Sequence, residues 1–451
     1  MTLPPGPRMP APAQILAWGA RPTALLERCL RRYGDAFTLR LIGFGEHGVS
    51  DVVFLTDPDA IKTLFTAGPD KLVVGELRGP MAPMFGPTSI LLLDGRAHMR
   101  QRKLLLPPFH GERMAAYREL TIEATDREID RWPYGRTFAL QPGMQTITLE
   151  VILQAVFGLD DAQGRALVGG AIKDVLQMVA NPLSELLMGL PGKLGPINIR
   201  APFERKVTEL DAILLTEIAR RRADRALTER DDILSLLLQA RDEEGEPMTD
   251  RELRDELVTL LLAGHETTAT ALAWTFDELF RHPAALERLH DADDAYLDAV
   301  IKESLRLHPP IAFVDRKLRV DFELGGRTLP AGTIVAPCIY LAHRRADLYP
   351  EPNAFRPERF LDRAPETYGW LPFGGGVRRC VGASFATFEM RVVLEAILAR
   401  THLRSGSTRR ESATRRAIVL APRHGTRAVL HARAPRSPLE RQAATTPDLG
   451  R

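Results

Sequence analysis

One long helical segment constrains the fold of this chain more than any other feature. It runs from the capping box Thr249-Asp250-Arg251-Glu252 to the helix-ending Pro283. A helix of about 32 residues spans roughly 48 Å, which is longer than most globular helices. Its centre, from Leu257 to Ala273, is apolar on all faces. That pattern is typical of a helix that crosses a core, and it predicts a large, mainly helical domain.

A short polar motif interrupts the apolar centre of this segment. The residues are Ala263-Gly264-His265-Glu266-Thr267-Thr268. A carboxyl group and hydroxyl groups inside a core cost about 2–7 kcal/mol each when they lack hydrogen-bond partners. Partners or a function are therefore expected for them.

A second motif surrounds a single cysteine. Phe373-Gly374-Gly375-Gly376-Val377-Arg378-Arg379-Cys380-Val381-Gly382 precedes an apolar run that predicts a helix from Val381 to Ala399. Glycines allow close backbone approach, and a helix N-terminus and a nearby guanidinium favour a thiolate. Three interpretations are open: an axial ligand of heme iron, the nucleophile of a cysteine hydrolase, and an inert buried cysteine. No local motif supplies the histidine base that a hydrolase needs, and for an isolated cysteine the inert interpretation would be the default. The spacing F-x-x-G-x-R-x-C-x-G favours the heme ligand, because five fixed positions in ten residues rarely coincide by chance.

Composition excludes several other classes of protein. Sixty basic and 58 acidic side chains give a net charge of +2, so no affinity for nucleic acid is expected. Cys29, Cys338 and Cys380 form no C-x-x-C pair, which argues against a disulfide framework or a zinc site and suggests a reducing cytoplasm. The proline-rich start resembles no signal peptide, and no run reaches the ~20 apolar residues of a membrane span. We expect a soluble, cytoplasmic monomer without a membrane anchor.

Local patterns give the remaining elements. A helix is predicted from about Pro22 to Tyr33, paired strands at Phe37–Leu41 and Val52–Leu55, and a further helix beginning near Asp57. Helical patterns dominate residues 112–240 and include a break-rich segment, 181–202, that we interpret as a lid over a channel. The apolar loop from Gly75 to Asp94 is expected to line a cavity, with an ordinary buried connection as the alternative.

The two motifs together resemble the cytochrome P450 family. F-x-x-G-x-R-x-C-x-G and A-G-x-[DE]-T are patterns of its heme-binding loop and oxygen-binding helix. The resemblance implies a mainly α (α+β) fold with heme b between a large helical region and a small β region. Residues 1–433 would form a single domain, and 434–451 a disordered polar tail. Cys380 would be the axial thiolate ligand, with Phe373 packed near the sulfur and Gly382 beside the heme.

The resemblance also implies roles for the polar motif. Ala263 and Gly264 would leave room for O2 and substrate. The Thr267 hydroxyl would interrupt the backbone hydrogen bonds and hold oxygen and water, and Glu266 would relay protons. The alternative for Thr267 is a plain hydrogen bond to its own helix. For His265 a structural contact is expected rather than iron ligation.

Basic side chains at matching positions would bind the heme propionates. His98 and Arg102 lie at i and i+4 on one helical face, where they could clamp one carboxylate. Arg316 and Arg378 are the other expected propionate ligands. Glu303 and Arg306 of the E-x-x-R element would form a buried network with Arg359, which we assign to folding and heme retention.

The implied activity is a monooxygenase that uses O2, two electrons and two protons to hydroxylate or epoxidise a hydrophobic small molecule, such as a fatty acid, terpene, steroid or polyketide-like compound. A ferredoxin and its reductase would supply electrons, so that NAD(P)H acts only indirectly. Alternatives are a peroxygenase driven by H2O2 and a non-catalytic heme sensor or carrier. The predicted substrate-lining residues are Met81, Met84, Phe85, Ile311, Phe313, Val314, Ile418 and Val419. The predicted docking face for the ferredoxin comprises Arg100, Arg102, Lys103, Arg113, Arg344, Arg345 and Arg379.

Overall fold

The computed structural model describes residues 2–42, 48–109, 113–158, 162–180, 193–194, 197–198, 200–290, 293–361 and 363–435. Most of the expected lid and all of 436–451 of the expected tail lie outside these ranges, so both stay predictions. None of the helices in the described ranges combines the length and apolar character that a bilayer span needs.

Helices build most of the molecule. In chain order they are α1 (Ala11–Ala20), α2 (Pro22–Tyr33), α3 (Pro58–Thr66), α4 (Ala82–Phe85), α5 (Gly95–Leu105), α6 (Arg113–Ile129), α7 (Gln141–Phe157), α8 (Ala162–Ala180), α9 (Ala201–Arg222), α10 (Ile233–Gln239), α11 (Asp250–Arg281), α12 (Pro283–His290), α13 (Asp294–Leu307), α14 (Ile339–Ala342) and α15 (Ala383–Arg400). Short 3-10 turns cover Gly75–Met81, Pro107–Phe109, Leu227–Glu229, Pro357–Phe360 and Gly376–Arg378.

The strands are short. They are β1 (Ala36–Ile42), β2 (Val49–Leu55), β3 (Leu72–Val73), β4 (Thr137–Ala139), β5 (Lys193–Leu194), β6 (Ile197–Asn198), β7 (Arg316–Leu318), β8 (Phe322–Leu324), β9 (Arg327–Leu329), β10 (Ile334–Pro337), β11 (Thr401–Ser405), β12 (Ala413–Arg416), β13 (Val419–Pro422) and β14 (Arg427–Arg433). The largest sheet has the order β1-β2-β10-β7-β3. β1 and β2 are antiparallel with Leu39 opposite Val52, which confirms the predicted strand pair.

The long helix α11 begins and ends where the sequence indicates. The Thr249 hydroxyl accepts from the Glu252 N–H at 3.2 Å, and the Glu252 carboxylate accepts from the Thr249 N–H at 2.8 Å. Leu257, Leu261 and Leu272 are fully buried in the main helical core. A second core, under the large sheet, contains Phe37 and Phe54. α11 therefore forms the axis around which α7, α13 and α15 pack.

The apolar segment after β3 is more regular than expected. It contains a 3-10 turn and α4, and its second half is tied to α11 by hydrogen bonds. Asp255 accepts from the Thr88 N–H at 2.9 Å and from the Thr88 hydroxyl at 2.6 Å, while Glu256 accepts from the Ile90 N–H at 2.7 Å. The connection between β3 and α5 is thus held against the first half of α11.

Candidate active site

The loop that carries Cys380 is closed by its own backbone. The Cys380 N–H donates to the Phe373 carbonyl at 3.0 Å, and Gly374 and Gly376 have φ of 67° and 65°. A Cβ atom on Gly375 would lie 2.4 Å from the Phe65 ring. The glycines are required here because the loop turns through the left-handed region and packs directly on α3. The loop ends at Gly382, and α15 begins at the next residue, Ala383.

The Cys380 side chain is enclosed by protein yet accessible to solvent, so it lies on the wall of an interior opening. Burial raises the pKa of the Cys380 thiol, and this outweighs the lowering by the Gly382 N–H and by the guanidiniums of Arg379 and Arg102. The Gly382 N–H and the two guanidiniums thus favour the thiolate, as the sequence predicts, but burial opposes them. Arg378, the guanidinium two residues before the sulfur, makes its hydrogen bonds to Ile90, Leu93 and Asp94. A cation bound at the sulfur would supply the missing stabilisation.

The polar motif of α11 borders an opening as well. Ala263 is exposed, although Leu261 and Leu262 beside it are buried. The Thr267 hydroxyl donates to the Ala263 carbonyl at 2.7 Å, one turn earlier. α11 is continuous through this point and the contact given as the alternative is present, while the predicted interruption of its backbone hydrogen bonds stays a prediction. The hydroxyl oxygen still has lone pairs with which to accept a hydrogen bond.

Glu266 and His265 both contact α7. A Glu266 oxygen accepts from the Gln145 side-chain amide at 2.6 Å. Burial raises the pKa of Glu266, while Gln145 and the charge of Arg416 oppose that rise. The His265 Nδ1 lies 3.1 Å from the Thr148 hydroxyl, and burial lowers the His265 pKa to about 4. The expectation of a structural contact for His265 is confirmed.

Three of the predicted propionate ligands line one small cleft. His98, Arg316 and Arg378 border a cavity of about 70 Å³, together with Gly375 and Gly376 of the cysteine loop. Burial, and next the charges of Arg378 and Arg102, lower the pKa of His98 to about 4. Arg102 instead donates to the Arg379 carbonyl at 2.7 Å. The joint binding of one carboxylate by His98 and Arg102 stays a prediction.

Arg316 is the cation in this cleft that lacks a counter-ion. Its side chain is buried and donates to the Asp315 carbonyl at 2.8 Å, but no carboxylate in the described ranges lies within 4 Å of it. The Asp315 carboxylate binds Arg78 at 2.7 Å instead. Burial lowers the pKa of Arg316 to about 10. A buried guanidinium that borders this cleft, and on which the Asp315 and Asp94 carboxylates act only at a distance, fits a carboxylate of a bound group, such as a heme propionate.

Arg378 makes three hydrogen bonds to protein groups. It donates to the Ile90 carbonyl at 2.9 Å, to the Leu93 carbonyl and to the Asp94 carboxylate at 2.6 Å. Its charge still faces the cleft, but its main contacts tie the cysteine loop to the segment before α5.

Comparison with known proteins decides the family. The family model for cytochrome P450 matches residues 4–426. Cytochrome P450 135B1 of Mycobacterium tuberculosis is 42% identical over 439 residues, which cover 95% of this chain and 91% of that protein. The chain belongs to the cytochrome P450 family. Cytochrome P450 137 of the same species is 38% identical over 93% of this chain and 90% of its own length.

Solved P450 structures show the same fold. A retinoic-acid-bound cyanobacterial P450 superposes with a TM-score of 0.81 at 24% identity, covering 96% of this chain and 100% of that chain. A P450 heme domain gives a TM-score of 0.80 at 20% identity, covering 96% and 99%. This P450 is accordingly a monooxygenase of a family that binds heme through a cysteine thiolate and uses O2. The predictions of the family, the fold class and the enzyme class are confirmed.

The predicted charge network of this P450 is present in its core. Arg306 donates to both oxygens of Glu303, at 2.7 and 2.8 Å, and the Arg359 Nε lies 3.2 Å from Glu303. Arg306 also donates to the carbonyls of His343 and Pro352. Since Glu303 and Arg306 are fully buried, the network joins α13 to the chain that leads into the cysteine loop. Its role in heme retention stays a prediction.

The predicted substrate-lining residues divide into two groups. The Phe313 ring packs on Phe54 at 4.9 Å and on Trp18 at 5.6 Å in the second core, and Val419 is only 2% exposed. Phe313 is half-buried and Val419 is buried, and their assignment to the substrate pocket stays a prediction. The others stay predictions too: Met84 and Phe85 are buried on α4 against α11, Met81, Ile311 and Val314 are half-buried, and Ile418 is exposed in the β12–β13 turn.

Three of the seven residues of the predicted docking face form ion pairs with acidic neighbours. Arg100 pairs with Asp242 and Glu252, Lys103 with Glu243, and Arg345 with Asp35 and Asp347. Arg344 is half-buried over the Tyr340 ring. The side chain of Arg113 lies outside the described residues. Arg379 is exposed, and no carboxylate of the described chain lies within 4 Å of it.

Sequence reasoning missed two kinds of residue at the site. Gln145 is one, and its signal was a polar side chain in the apolar helix α7. Asp94 is the other, and its carboxylate accepts hydrogen bonds from the Val74 N–H at 2.9 Å and from Arg378 at 2.6 Å. Nothing local to Asp94 reveals this contact, because its partner is 284 residues away in the chain.

Proposed function

We propose that Cys380 ligates the heme iron of this P450 and that Thr267 and Glu266 serve the oxygen-binding side. The observation that carries the proposal is the Cys380 thiol, which is enclosed by protein but open to an interior space. Buried Arg316, without a carboxylate partner among the described residues, supports a propionate beside it. Heme bound in this way supplies activation of O2, with two electrons and two protons, for insertion of one oxygen atom into a C–H or C=C bond.

The residues that line the proposed heme site have separate roles in binding the heme and in handling oxygen and protons. Arg316 and His98 bind and orient propionates, since both line the cleft beside the cysteine loop. Ala263 leaves space on the exposed face of α11. The Thr267 oxygen can accept a hydrogen bond from a water molecule while its own O–H donates to the Ala263 carbonyl. Burial raises the pKa of Glu266, which favours its protonated form relative to an exposed glutamate, and Glu266 would pass a proton towards Thr267.

The substrate we propose is a hydrophobic small molecule, such as a fatty acid, terpene, steroid or polyketide-like compound. Met84, Phe85 and the half-buried Met81, Ile311 and Val314 are apolar, and methionine adapts to irregular apolar ligands. A ferredoxin and its NAD(P)H-dependent reductase are the proposed electron donors. The family generally takes electrons from redox partners, and Arg379 lies exposed next to Cys380.

Absorption spectroscopy of the purified protein tests the iron ligand. The reduced carbonyl complex should show the strongly red-shifted Soret band that sulfur coordination produces, and Cys380→Ser should lose that band. A normal band in Cys380→Ser would refute the assignment. A library of apolar compounds is then screened for displacement of water from ferric iron, and hits are tested with ferredoxin, reductase and NADPH. Turnover with peroxide alone would favour the peroxygenase alternative.

A further inference from the structure

A stripe of polar side chains runs along one face of helix α7. Gln141, Gln145 and Thr148 follow one another at i, i+4 and i+7, so they share one face. Each of them meets a polar group of α11. Gln141 lies 3.5 Å from the Thr270 hydroxyl, Gln145 lies 2.6 Å from Glu266, and Thr148 lies 3.1 Å from His265. The stripe therefore spans the part of α11 that carries the oxygen-binding motif.

Gln145 makes the contact in this stripe that bears on chemistry. Its Nε2–H donates to the Glu266 carboxyl, and both side chains are half-buried between α7 and α11. The other charged group in electrostatic range of Glu266 is Arg416 on β12, which lies beyond hydrogen-bond distance of it in the described structure. The amide of Gln145 thus fixes where the carboxyl points. Nothing in the A-G-x-[DE]-T motif specifies this partner.

We propose that Gln145 is a positioning residue for proton delivery in this P450. It holds the Glu266 carboxyl at the α7 side of α11, one residue from Thr267. Glu266 gives up one proton towards Thr267, and the carboxylate left behind is bound by the Gln145 N–H, which forms a stronger hydrogen bond to a charged oxygen. One proton from water then restores the carboxyl, so the cycle balances. This inference rests on the proposed role of Glu266.

Gln145→Met tests the inference, because methionine has a similar size but donates no hydrogen bond. Gln145→Asn is a second variant that keeps the amide but shortens its reach. Gln154→Met is the matched control, since Gln154 lies on the same helix and its side-chain oxygen has no hydrogen-bond partner in the described chain. Glu266→Gln identifies the infrared band of the Glu266 carboxyl and shows how far product formation falls when the proton relay is lost. All variants are first checked for the red-shifted carbonyl complex.

The first readout is independent of turnover. In the infrared spectrum of the resting ferric protein, the Glu266 carboxyl band, assigned with Glu266→Gln, should shift in Gln145→Met and Gln145→Asn but not in Gln154→Met. The second readout is coupling, the fraction of electrons that ends up in product, measured with a compound that the spectral screen has identified as a substrate. Both Gln145 variants should divert more electrons to peroxide and show a larger solvent deuterium isotope effect, with product formation slowed about tenfold.

The outcomes separate this inference from the function on which it rests. An unshifted carboxyl band, or wild-type coupling and isotope effect in both Gln145 variants, would overturn the role of Gln145. If Glu266→Gln itself keeps wild-type coupling, the proposed relay fails, and the role of Gln145 fails with it. If Glu266→Gln uncouples the enzyme but the Gln145 variants do not, the relay stands and Gln145 is only structural.

Discussion

At the scale of single residues, this P450 keeps several ionisable groups in its core for different reasons. Arg316 has no carboxylate partner among the described residues, although it is buried. Glu389 on α15 is also buried, shares a hydrogen bond with Thr268 of α11, and has one oxygen without a partner in the described structure. A buried charge of this kind destabilises the ligand-free protein, unless the group binds a ligand or stays neutral. We expect Arg316 to stay charged and bind a ligand carboxylate, and Glu389 to stay neutral.

Arg316→Met should stabilise the heme-free protein and weaken heme retention. Replacing a buried charge with an apolar side chain of similar volume is often stabilising by about 1–4 kcal/mol. The same change removes a donor to a propionate, so heme should transfer to apomyoglobin about tenfold faster. Urea unfolding of the apoprotein and the transfer assay measure the two effects.

Arg78→Met is the matched control for this experiment. It strands the Asp315 carboxylate, which Arg78 binds at 2.7 Å, and should therefore destabilise the apoprotein. If Arg316→Met also destabilises the apoprotein and retains heme normally, Arg316 is a structural cation and not a propionate ligand.

Glu389→Gln should stabilise the protein more at pH 8 than at pH 5. Burial raises the pKa of Glu389 well above its usual value, so the folded protein keeps a proton that the unfolded chain releases above about pH 4.5. The stability of the wild type therefore falls as pH rises through that window, by up to about 1.4 kcal/mol per pH unit, and glutamine removes this loss. Denaturant unfolding at several pH values measures it, with exposed Glu119→Gln as the control. A pH-independent difference between wild type and Glu389→Gln would contradict the assignment.

At the scale of elements, the sequence predicted those parts of the fold whose signals are local. The capping box and Pro283 mark α11, and the alternating apolar residues mark β1 and β2. The cysteine loop could also be predicted from the sequence, because its close packing against Phe65 requires glycine. The partners of Glu266, Arg378 and Phe313 were not, since they depend on which helix faces and loops meet in space. Gln145 and Asp94 lie 121 and 284 residues from the groups they bind.

Gly86→Ala should loosen the connection between β3 and α5. Gly86 has a φ of 84°, and a Cβ atom there would lie 1.9 Å from the Asp255 carboxylate, which binds Thr88. The backbone alone costs about 1–2 kcal/mol for alanine, and the displaced carboxylate adds its lost hydrogen bonds. Urea unfolding should show this destabilisation, and hydrogen exchange should rise at Thr88 and Ile90.

Gly79→Ala is the matched control in the same segment. A Cβ atom at Gly79 meets nothing within 4 Å, and its φ is not in the left-handed region. Its free energy of unfolding should change by less than about 1 kcal/mol. Equal effects of the two substitutions would show that the contact with Asp255 does not hold this segment.

At the scale of the whole molecule, the side that carries the cysteine loop is less basic than its sequence suggests. The sequence gives no sign of acidic partners for its basic residues in this region. In the structure Arg100, Lys103 and Arg345 form ion pairs with Asp242, Glu252, Glu243 and Asp347. The net charge of +2 gives no general attraction to an acidic protein. An electron donor would therefore have to recognise a small region around Cys380, where Arg379 is exposed.

Arg379→Glu should slow electron transfer from a ferredoxin, because it reverses the charge nearest to the cysteine loop. The rate of carbonyl-complex formation with ferredoxin, reductase and NADPH should fall about fivefold or more at low salt. The difference should shrink at high salt, since the screening length drops from about 10 Å at 0.1 M to about 3 Å at 1 M. Arg404→Glu, an exposed charge reversal on β11, is the matched control and should leave the rate unchanged. Reduction by dithionite must still give the red-shifted band in Arg379→Glu, which shows that the sulfur ligand is intact. If ferredoxin then reduces Arg379→Glu as fast as the wild type at every salt concentration, the donor does not dock through Arg379.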